Sequence, residues 1–224
     1  MPPEIGIVVT ARNEADCLPQ TLAALARAFP GASVVVADDG SSDATPDVAR
    51  DAGADVVRSE RPVGKGGAAT RGAERLLATG VERAVLLCDG DLGASAAQLV
   101  RLVEAVDAGE SDLAVASFAR RIGGGFGIAV GFARWAVARR TGLELSAPIS
   151  GQRAMRPEVL RAVLPFAPGF GMETGMTIDA HRAGYRLVEI ELDLEHRGTG
   201  RTAAGFAHRA RQLADFARVY ASRR

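Results

Sequence analysis

Apolar and polar positions alternate along the first half of the chain in two periods, one typical of strands and one of helices. Short runs rich in Val, Ile and Ala indicate buried strands at residues 5–10, 33–38, 55–58, 84–88 and 113–117. Between them the spacing predicts a helix with Leu18, Leu22 and Leu25 on one face, a helix over 66–78, and one that Ser95 caps and that runs to about residue 107. Strands that alternate with helices of this length predict right-handed βαβ units and a parallel sheet.

The second half is less regular. Its pattern predicts a glycine-rich loop at 121–127, helices at 128–140, 158–164 and near 173–183, and strands at 150–155 and 187–194. The tail from Ala203 has Phe206, Leu213, Phe216 and Tyr220 at helical spacing, with arginines elsewhere. Such a helix could lie on an anionic membrane, or it could pack on the domain or on a second subunit of a homodimer. We favour packing.

Composition narrows the class of protein. Lys+Arg and Asp+Glu both number 27, so the net charge is zero and the basic excess of a nucleic-acid-binding protein is missing. The 224 residues suffice for one α/β domain, and Cys17 and Cys88 do not make a disulfide framework. No signal peptide or apolar run of membrane-spanning length is found, so we expect a cytoplasmic protein without a transmembrane segment.

Acidic residues follow two of the predicted strands. Asp89 and Asp91, with a glycine between them, come directly after the run at 84–88 and could hold Mg²⁺ or Mn²⁺, although the same tripeptide makes an ordinary acidic turn. Asp38 and Asp39 end the second strand, where a carboxylate could accept a hydrogen bond from a pyrimidine or a ribose hydroxyl. The plainer alternative there is a strand-to-helix turn. In parallel sheets, ligands bind beyond these strand ends.

Four further residues have both a functional and a structural interpretation. Lys65 is the only lysine and stands among glycines before a helix, where it could bind phosphate or simply lie in a solvated loop. Glu173 follows a glycine-rich turn and could act as a general base or cap a helix. His196 ends the last strand and could bind a metal, or it could be an ordinary surface residue. Glu14 lies in a first helical turn, where the helix dipole favours any carboxylate.

The order of four motifs is more specific than any one of them. VVTARNE, VADDGSSD, GKG and CDGDL, in this order, resemble the N-terminal half of family 2 glycosyltransferases, and the later GFGME and EHR segments look most like those of glucosyl-3-phosphoglycerate synthases. This resemblance implies a GT-A fold, which is a Rossmann-like, mostly parallel sheet with flanking helices. It predicts a single domain over residues 1–202, divided into a nucleotide-sugar-binding half (1–120) and an acceptor half (121–202). The amphipathic basic helix follows at 203–224.

The same resemblance implies a metal-dependent transfer of a sugar from a nucleotide-diphosphate donor, with Mg²⁺ or Mn²⁺ as cofactor. The implied donor-binding residues are Thr10, Arg12 and Glu14 beside the base and ribose, Asp38 or Asp39 on the base, and Lys65 and Asp89 on the diphosphate, ribose or sugar. Asp91 and His196, beside Asp89, would form the metal site, and Glu173 would face the acceptor or the donor sugar. Arg197 and Arg201 could close over the diphosphate.

The sequence departs from its relatives at two places. Thr10 stands where a proline is usual, and the phosphoglycerate-binding segment of the synthases is not recognisable around residues 117–128. The acceptor therefore stays open between a small molecule and a lipid phosphate, and so does the stereochemistry of transfer. Two rival readings are a sugar nucleotidyltransferase, which would place a glycine-rich segment with Arg after the first strand, and a catalytically silent nucleotide-sugar-binding module.

Overall fold

The computed structural model of the protein describes residues 3–118, 128–195 and 203–223. In this part of the chain seven strands form one sheet in the order β3-β2-β1-β4-β6-β5-β7. Neighbouring strands run parallel, except that β6 is antiparallel to both β4 and β5. The strands are β1 (Ile5–Ala11), β2 (Ser33–Asp38), β3 (Asp55–Arg58), β4 (Ala84–Asp89), β5 (Leu113–Phe118), β6 (Arg153–Met155) and β7 (Leu187–Leu192).

Helices cover both faces of this sheet because successive strand residues point to opposite sides. Ile7 and Leu86 belong to one apolar cluster, and their neighbours Val8 and Leu87 belong to the other. Two 3₁₀ segments, Gly93–Leu99 and Gly169–Gly171, join the helices. The helices are α1 (Leu18–Ala28), α2 (Thr45–Asp51), α3 (Lys65–Leu77), α4 (Val100–Asp107), α5 (Ile128–Thr141), α6 (Pro157–Val163), α7 (Met172–Arg182) and α8 (Ala203–Ser222).

The predicted α/β architecture is confirmed, with local differences. The single helix predicted from Ser95 is wrong: a 3₁₀ segment comes first, and the Ser95 hydroxyl donates to the Leu92 carbonyl (2.6 Å) instead of capping a helix. The predicted strand at 150–155 is reduced to β6, and β7 ends at Leu192. The antiparallel direction of β6 was not predicted, because a run of apolar residues carries no information about strand direction.

The C-terminal helix α8 packs on the rest of the domain, against α5, α7 and the 169–171 turn. Phe216 and Val219 on its inner face are almost completely buried. At its outer end the Arg140 guanidinium lies 4.0 Å from the centre of the Tyr220 ring. The preference for packing, which the sequence analysis stated, is therefore confirmed for the described part of this helix. Among the residues that the structure describes, no helix combines the length and the apolar character needed to cross a membrane.

Candidate active site

Three parallel strands end at the same edge of the sheet and open into a cleft. Thr10 of β1 pairs with Ala37 of β2 on one side and with Asp89 of β4 on the other, so residues just after these positions converge. The cleft has a volume of about 750 Å³, within the range of small-molecule sites. Seven of the residues predicted from the sequence line it: Thr10, Arg12, Glu14, Asp39, Lys65, Asp89 and Asp91.

The carboxylate of Asp89 is held on both oxygens. Its Oδ1 accepts a hydrogen bond from the Thr10 hydroxyl (2.9 Å) and lies 2.7 Å from the ammonium of Lys65, and its Oδ2 accepts from the Gln152 amide (2.9 Å). Gly151 allows this approach, since a methyl group there would lie 2.5 Å from the Lys65 nitrogen and 2.8 Å from Asp89 Oδ2. The side chain is thus fixed at the cleft wall without a bound ligand.

Lys65 links two acids from different elements. It begins α3, and its ammonium lies 2.7 Å from Asp89 and 2.8 Å from Glu173, which is buried in the first turn of α7. Burial alone would lower the pKa of Lys65, but the charges of Asp89 and Glu173 outweigh it and raise the pKa. Burial would likewise raise the pKa of Asp89, but the nearby ammonium and the Thr10 and Gln152 hydrogen bonds hold that pKa below its usual value. Lys65 and Asp89 are therefore both ionised near neutral pH.

Asp38 and Asp39 have different surroundings. Asp39 lines the cleft, and its carboxylate accepts hydrogen bonds from the backbone amides of Val63 (2.6 Å) and Gly64 (3.0 Å), which fixes the loop that leads into Lys65. Asp38 is fully buried outside the cleft lining; its carboxylate accepts hydrogen bonds from the Ser41 amide and hydroxyl and lies 3.3 Å from Arg58. Of these two acids, Asp39 is the one whose residue borders the cleft.

The turn that carries Arg12 and Glu14 is built on the same edge. Asn13 has a left-handed backbone (φ +56°), which its amide stabilises by donating to the Ser41 hydroxyl (2.9 Å) while its side-chain oxygen accepts from the Ser42 amide (2.8 Å). The Glu14 amide donates to the Thr45 hydroxyl (2.8 Å). The segment after β1 is therefore tied to the segment after β2, and both border the cleft.

The predicted metal site is described only in part. Asp91 lines the cleft two residues beyond Asp89. His196, Arg197 and Arg201 lie outside the described residues, and within 3–118, 128–195 and 203–223 no group of three or more His, Cys, Asp or Glu side chains is arranged to hold a metal ion. The last described residue before His196 is held near Asp91 in the chain: the Glu195 amide donates to the hydroxyl of Ser95 (2.9 Å), and Ser95 follows Asp91 by four residues.

Several residues of the site were not predicted. Gln152 binds Asp89, and Gly169, Phe170, Ala214, Asp215 and Arg218 line the cleft opposite the strand ends. Behind Glu173, Arg153 is completely buried; it donates to the carbonyls of Ser150 and Pro148 and to the Thr177 hydroxyl, and burial lowers its pKa to about 10 although Glu173 and Glu189 oppose this. The available signal was a polar Gln-Arg pair inside the predicted strand at 150–155, of which Arg153 begins β6 and Gln152 directly precedes it. For the cleft-lining residues of α8 no signal existed, since the polar face of a helix usually faces solvent.

Comparisons with known proteins agree with this geometry. Residues 6–163 match the profile of the family described as Glycosyl transferase family 2. The chain is 32% identical over 214 residues to the undecaprenyl-phosphate mannosyltransferase of Micrococcus luteus, covering 86% of this chain and 84% of that protein.

Solved structures of glucosyl-3-phosphoglycerate synthase from Mycobacterium tuberculosis also superpose on the chain. One, in complex with Mn²⁺, UDP and glucosyl-3-phosphoglycerate, gives a TM-score of 0.75 at 28% identity and covers 98% of this chain and 80% of that one. Another, with Mg²⁺ and UDP, gives 0.74 at 27% identity with the same coverage. The predicted GT-A architecture is thereby confirmed.

Proposed function

The chain belongs to glycosyl transferase family 2, and on that basis we propose that it transfers a sugar, with the help of Mg²⁺ or Mn²⁺, from a nucleotide-diphosphate donor to an acceptor that carries a phosphate group. As a member of this family the protein is a glycosyltransferase that uses nucleotide-sugar donors. The metal, the acceptor and the role of each residue are the parts that we propose. The observation that supports them best is the Asp89–Lys65–Glu173 chain of contacts, in which Asp89 and Lys65 line the cleft and Glu173 is buried beside Lys65.

The residues divide into a base-binding end and a reacting end. We assign Asp39, with Thr10, Arg12 and Glu14, to the base and ribose, because these residues border the cleft beside β1 and β2. Asp89 and Lys65 would contact the ribose, diphosphate or sugar. The ammonium of Lys65 is already paired with two carboxylates. It can therefore stabilise only part of the negative charge that develops on the departing diphosphate.

The residues present fit a divalent cation. Carboxylate oxygens are preferred ligands of Mg²⁺, and Asp91 supplies one at the edge of the cleft, beside the Ser95–Glu195 contact that precedes His196 in the chain. We propose Asp91 and His196, with Asp89 beside them, as the residues that would hold the metal. A bound cation would neutralise the negative charge of the leaving nucleotide diphosphate. Arg197 and Arg201 remain candidates for a loop that contacts the diphosphate.

What the names of two relatives share supports the proposed acceptor class. One relative is named for undecaprenyl phosphate and the other for a phosphoglycerate, so both names include a phosphate group. If an ionised phosphate oxygen attacks the sugar, no base is needed. If a hydroxyl attacks, a base must accept its proton, and Glu173 is the candidate that we propose for this role. The Glu173 carboxylate is therefore required as a base for a hydroxyl acceptor but not for a phosphate-oxygen acceptor.

A donor and acceptor panel tests the proposal. Purified protein is incubated with UDP- and GDP-sugars, with Mg²⁺, Mn²⁺ or EDTA, and with either 3-phosphoglycerate or a polyprenyl phosphate in detergent; glycosylated product and free nucleotide are both measured. We expect product with one of these acceptors and none in EDTA. Glu173→Gln should abolish transfer to a hydroxyl but reduce transfer to a phosphate oxygen much less. Equal product with and without EDTA would remove the metal from the proposal.

Binding provides a second readout. A nucleoside diphosphate at about 100 times its Kd should stabilise the protein by about 2.7 kcal/mol, and we expect this only when metal is present. Asp91→Ala and His196→Ala should each remove the metal dependence, whereas Asp51→Asn, an exposed acid at the end of α2, should keep it. Thermal unfolding monitors all four proteins. An unchanged metal-dependent shift in both alanine variants would contradict the assignment of the metal site.

A further inference from the structure

The C-terminal helix α8 contributes part of the wall of the cleft. Ala214, Asp215 and Arg218 face the same cavity as the residues at the strand ends. The site is therefore closed on one side by α8, which begins more than 110 residues after the strand that ends at Asp89.

The contact between α8 and the segment before Glu173 is close and regular. Asp215, Val219 and Arg223 are spaced four residues apart, so they lie on one face of the helix. Each lies against a different glycine: a methyl group on Gly169 would overlap Asp215, one on Gly171 would lie 2.5 Å from Val219, and one on Gly175 would lie 3.1 Å from Arg223. The glycines of this segment thus admit the side chains of α8.

Within this contact, Asp215 holds the backbone of the turn. Its Oδ2 accepts a hydrogen bond from the Phe170 amide (3.1 Å), and its Oδ1 lies 2.6 Å from Arg218. Gly169, directly before Phe170, has φ +60°, a conformation that most side chains disfavour. Three residues after Phe170 comes Glu173, whose carboxylate contacts Lys65. Asp215 is therefore connected to Glu173 through the short, tight turn that its hydrogen bond fixes, and Glu173 in turn contacts Lys65.

From these contacts we infer that Asp215 is a positioning residue for transfer: its carboxylate fixes the Gly169–Gly171 turn and so sets the position of Glu173 and, through the contact between them, of Lys65 at the cleft wall. This inference rests on the proposed function, because Glu173 and Lys65 are assigned there to the reacting end. A displacement of about 1 Å in a reacting group can cost about 100-fold in rate. The effect belongs in kcat, since the donor contacts at Asp39 and Asp91 lie on other elements.

Variants of Asp215 separate positioning from simple stabilisation. Asp215→Ala removes the acceptor of the Phe170 hydrogen bond, whereas Asp215→Asn keeps an oxygen that can accept it. Asp107→Ala is the matched control, because it removes a carboxylate that pairs with Arg83 (2.5 Å). Arg83 directly precedes β4, so this pair lies at the opposite end of that strand from Asp89. The number of donor-binding sites is counted by calorimetry, so that kcat is expressed per folded molecule.

We expect Asp215→Ala to lower kcat by about 10- to 100-fold with the donor KM changed by less than about 3-fold. Asp215→Asn should recover kcat to within about 5-fold of the wild type, and Asp107→Ala should match the wild type. A purely structural role would lower the number of binding sites and leave kcat per site unchanged. That outcome, or a rise in KM at constant kcat, would overturn the inference.

Hydrogen exchange distinguishes a failure of the inference from a failure of the proposed function. In Asp215→Ala the peptide that spans residues 166–173 should exchange its amide hydrogens faster than in the wild type, and in Asp107→Ala it should not. If the wild type transfers no sugar from any donor, the proposed function fails, and this measurement alone decides the role of Asp215. Unchanged protection of that peptide in Asp215→Ala would then overturn it.

Discussion

Replacing Lys65 with methionine tests the charge arrangement at the centre of the site. Methionine keeps most of the length of the side chain but removes the ammonium that lies 2.7 Å from Asp89 and 2.8 Å from Glu173. Both contacting oxygens lie close to one nitrogen, so they are at most about 5.5 Å apart. In the variant, two carboxylates face each other with no cation between them.

The cost can be worked out from this separation. Two like charges about 5 Å apart repel by about 3 kcal/mol at an effective dielectric constant of about 20, and removing one partner of a buried ion pair typically costs about 3–5 kcal/mol. The Lys65 side chain is 23% exposed, which favours the lower figure. We therefore expect Lys65→Met to lower the free energy of unfolding at pH 7 by about 3 kcal/mol.

The pH dependence gives the sign of the effect. In the wild type the pKa of Lys65 is raised and that of Asp89 lowered, so their contribution to stability is full between the ordinary values of 3.8 and 10.5. It is lost only as the pH falls through the pKa of Asp89 or rises through that of Lys65. In Lys65→Met, repulsion makes the folded state take up a proton at higher pH than the unfolded state. The variant should therefore regain stability, relative to the wild type, as the pH falls from 7 towards 5.

Urea denaturation followed by circular dichroism, in EDTA and at pH 5, 6 and 7, measures these differences. Arg75→Met is the matched control, since it breaks an exposed pair with Asp55 (2.5 Å) and should cost less than about 1 kcal/mol. Lys65→Met combined with Glu173→Gln removes the repulsion and should recover most of the loss. The reasoning is refuted if Lys65→Met costs no more than Arg75→Met at pH 7, or if its loss is the same at all three pH values.

Two further predictions concern the packing around the site. Gly66→Ala should destabilise the protein by about 2 kcal/mol or more, because the added methyl group would overlap the Ala167 carbonyl. In Gly131→Ala of α5 the methyl group meets no atom within 4 Å, so this variant should be more stable than the wild type by about 0.5–1 kcal/mol. Thermal unfolding of both variants is compared, and equal effects would contradict the argument. Deleting residues 203–224 should lower the melting temperature and impair folding without changing vesicle binding, because it exposes the surface that buries Phe216 and Val219; a truncated protein that stays folded and active would refute this.

The strands of the first half could be predicted from the sequence because each strand carries its own signal. β2 and β3 are observed with the predicted bounds, and β1, β4 and β5 each extend one residue further. Buried apolar runs and the turn residues after them are local features, and the rules for parallel sheets then bring Thr10 and Asp89 to one edge. The convergence of the strand-end residues on one cleft follows from this topology.

What could not be predicted depends on contacts between distant parts of the chain. Asp215 occupies the polar side of a helix, where a carboxylate is equally at home in solvent, and only the docking of α8 on the 169–171 turn makes it a hydrogen-bond acceptor for Phe170. Likewise, the role of Gln152 becomes visible only from its hydrogen bond to Asp89, which lies 63 positions away in the chain. The antiparallel β6 that carries its neighbour Arg153 is set by the path of the chain between β5 and α6, and three residues cannot encode that path locally.

The use of lysine at position 65, the only lysine of the chain, has a steric reason in this structure. The exposed ion pairs, such as Arg75 with Asp55 and Arg83 with Asp107, use a broad guanidinium that can donate several hydrogen bonds. At position 65 the cation must fit between two carboxylates and beside Gly151, where even a methyl group would lie 2.5 Å from the nitrogen. A planar guanidinium is wider than an ammonium and cannot occupy that space without moving Asp89, which Thr10 and Gln152 hold in place. The compact charge of lysine is thus a requirement of the site's geometry, and the same compact charge allows the carboxylates of Asp89 and Glu173 to lie close together on either side of it.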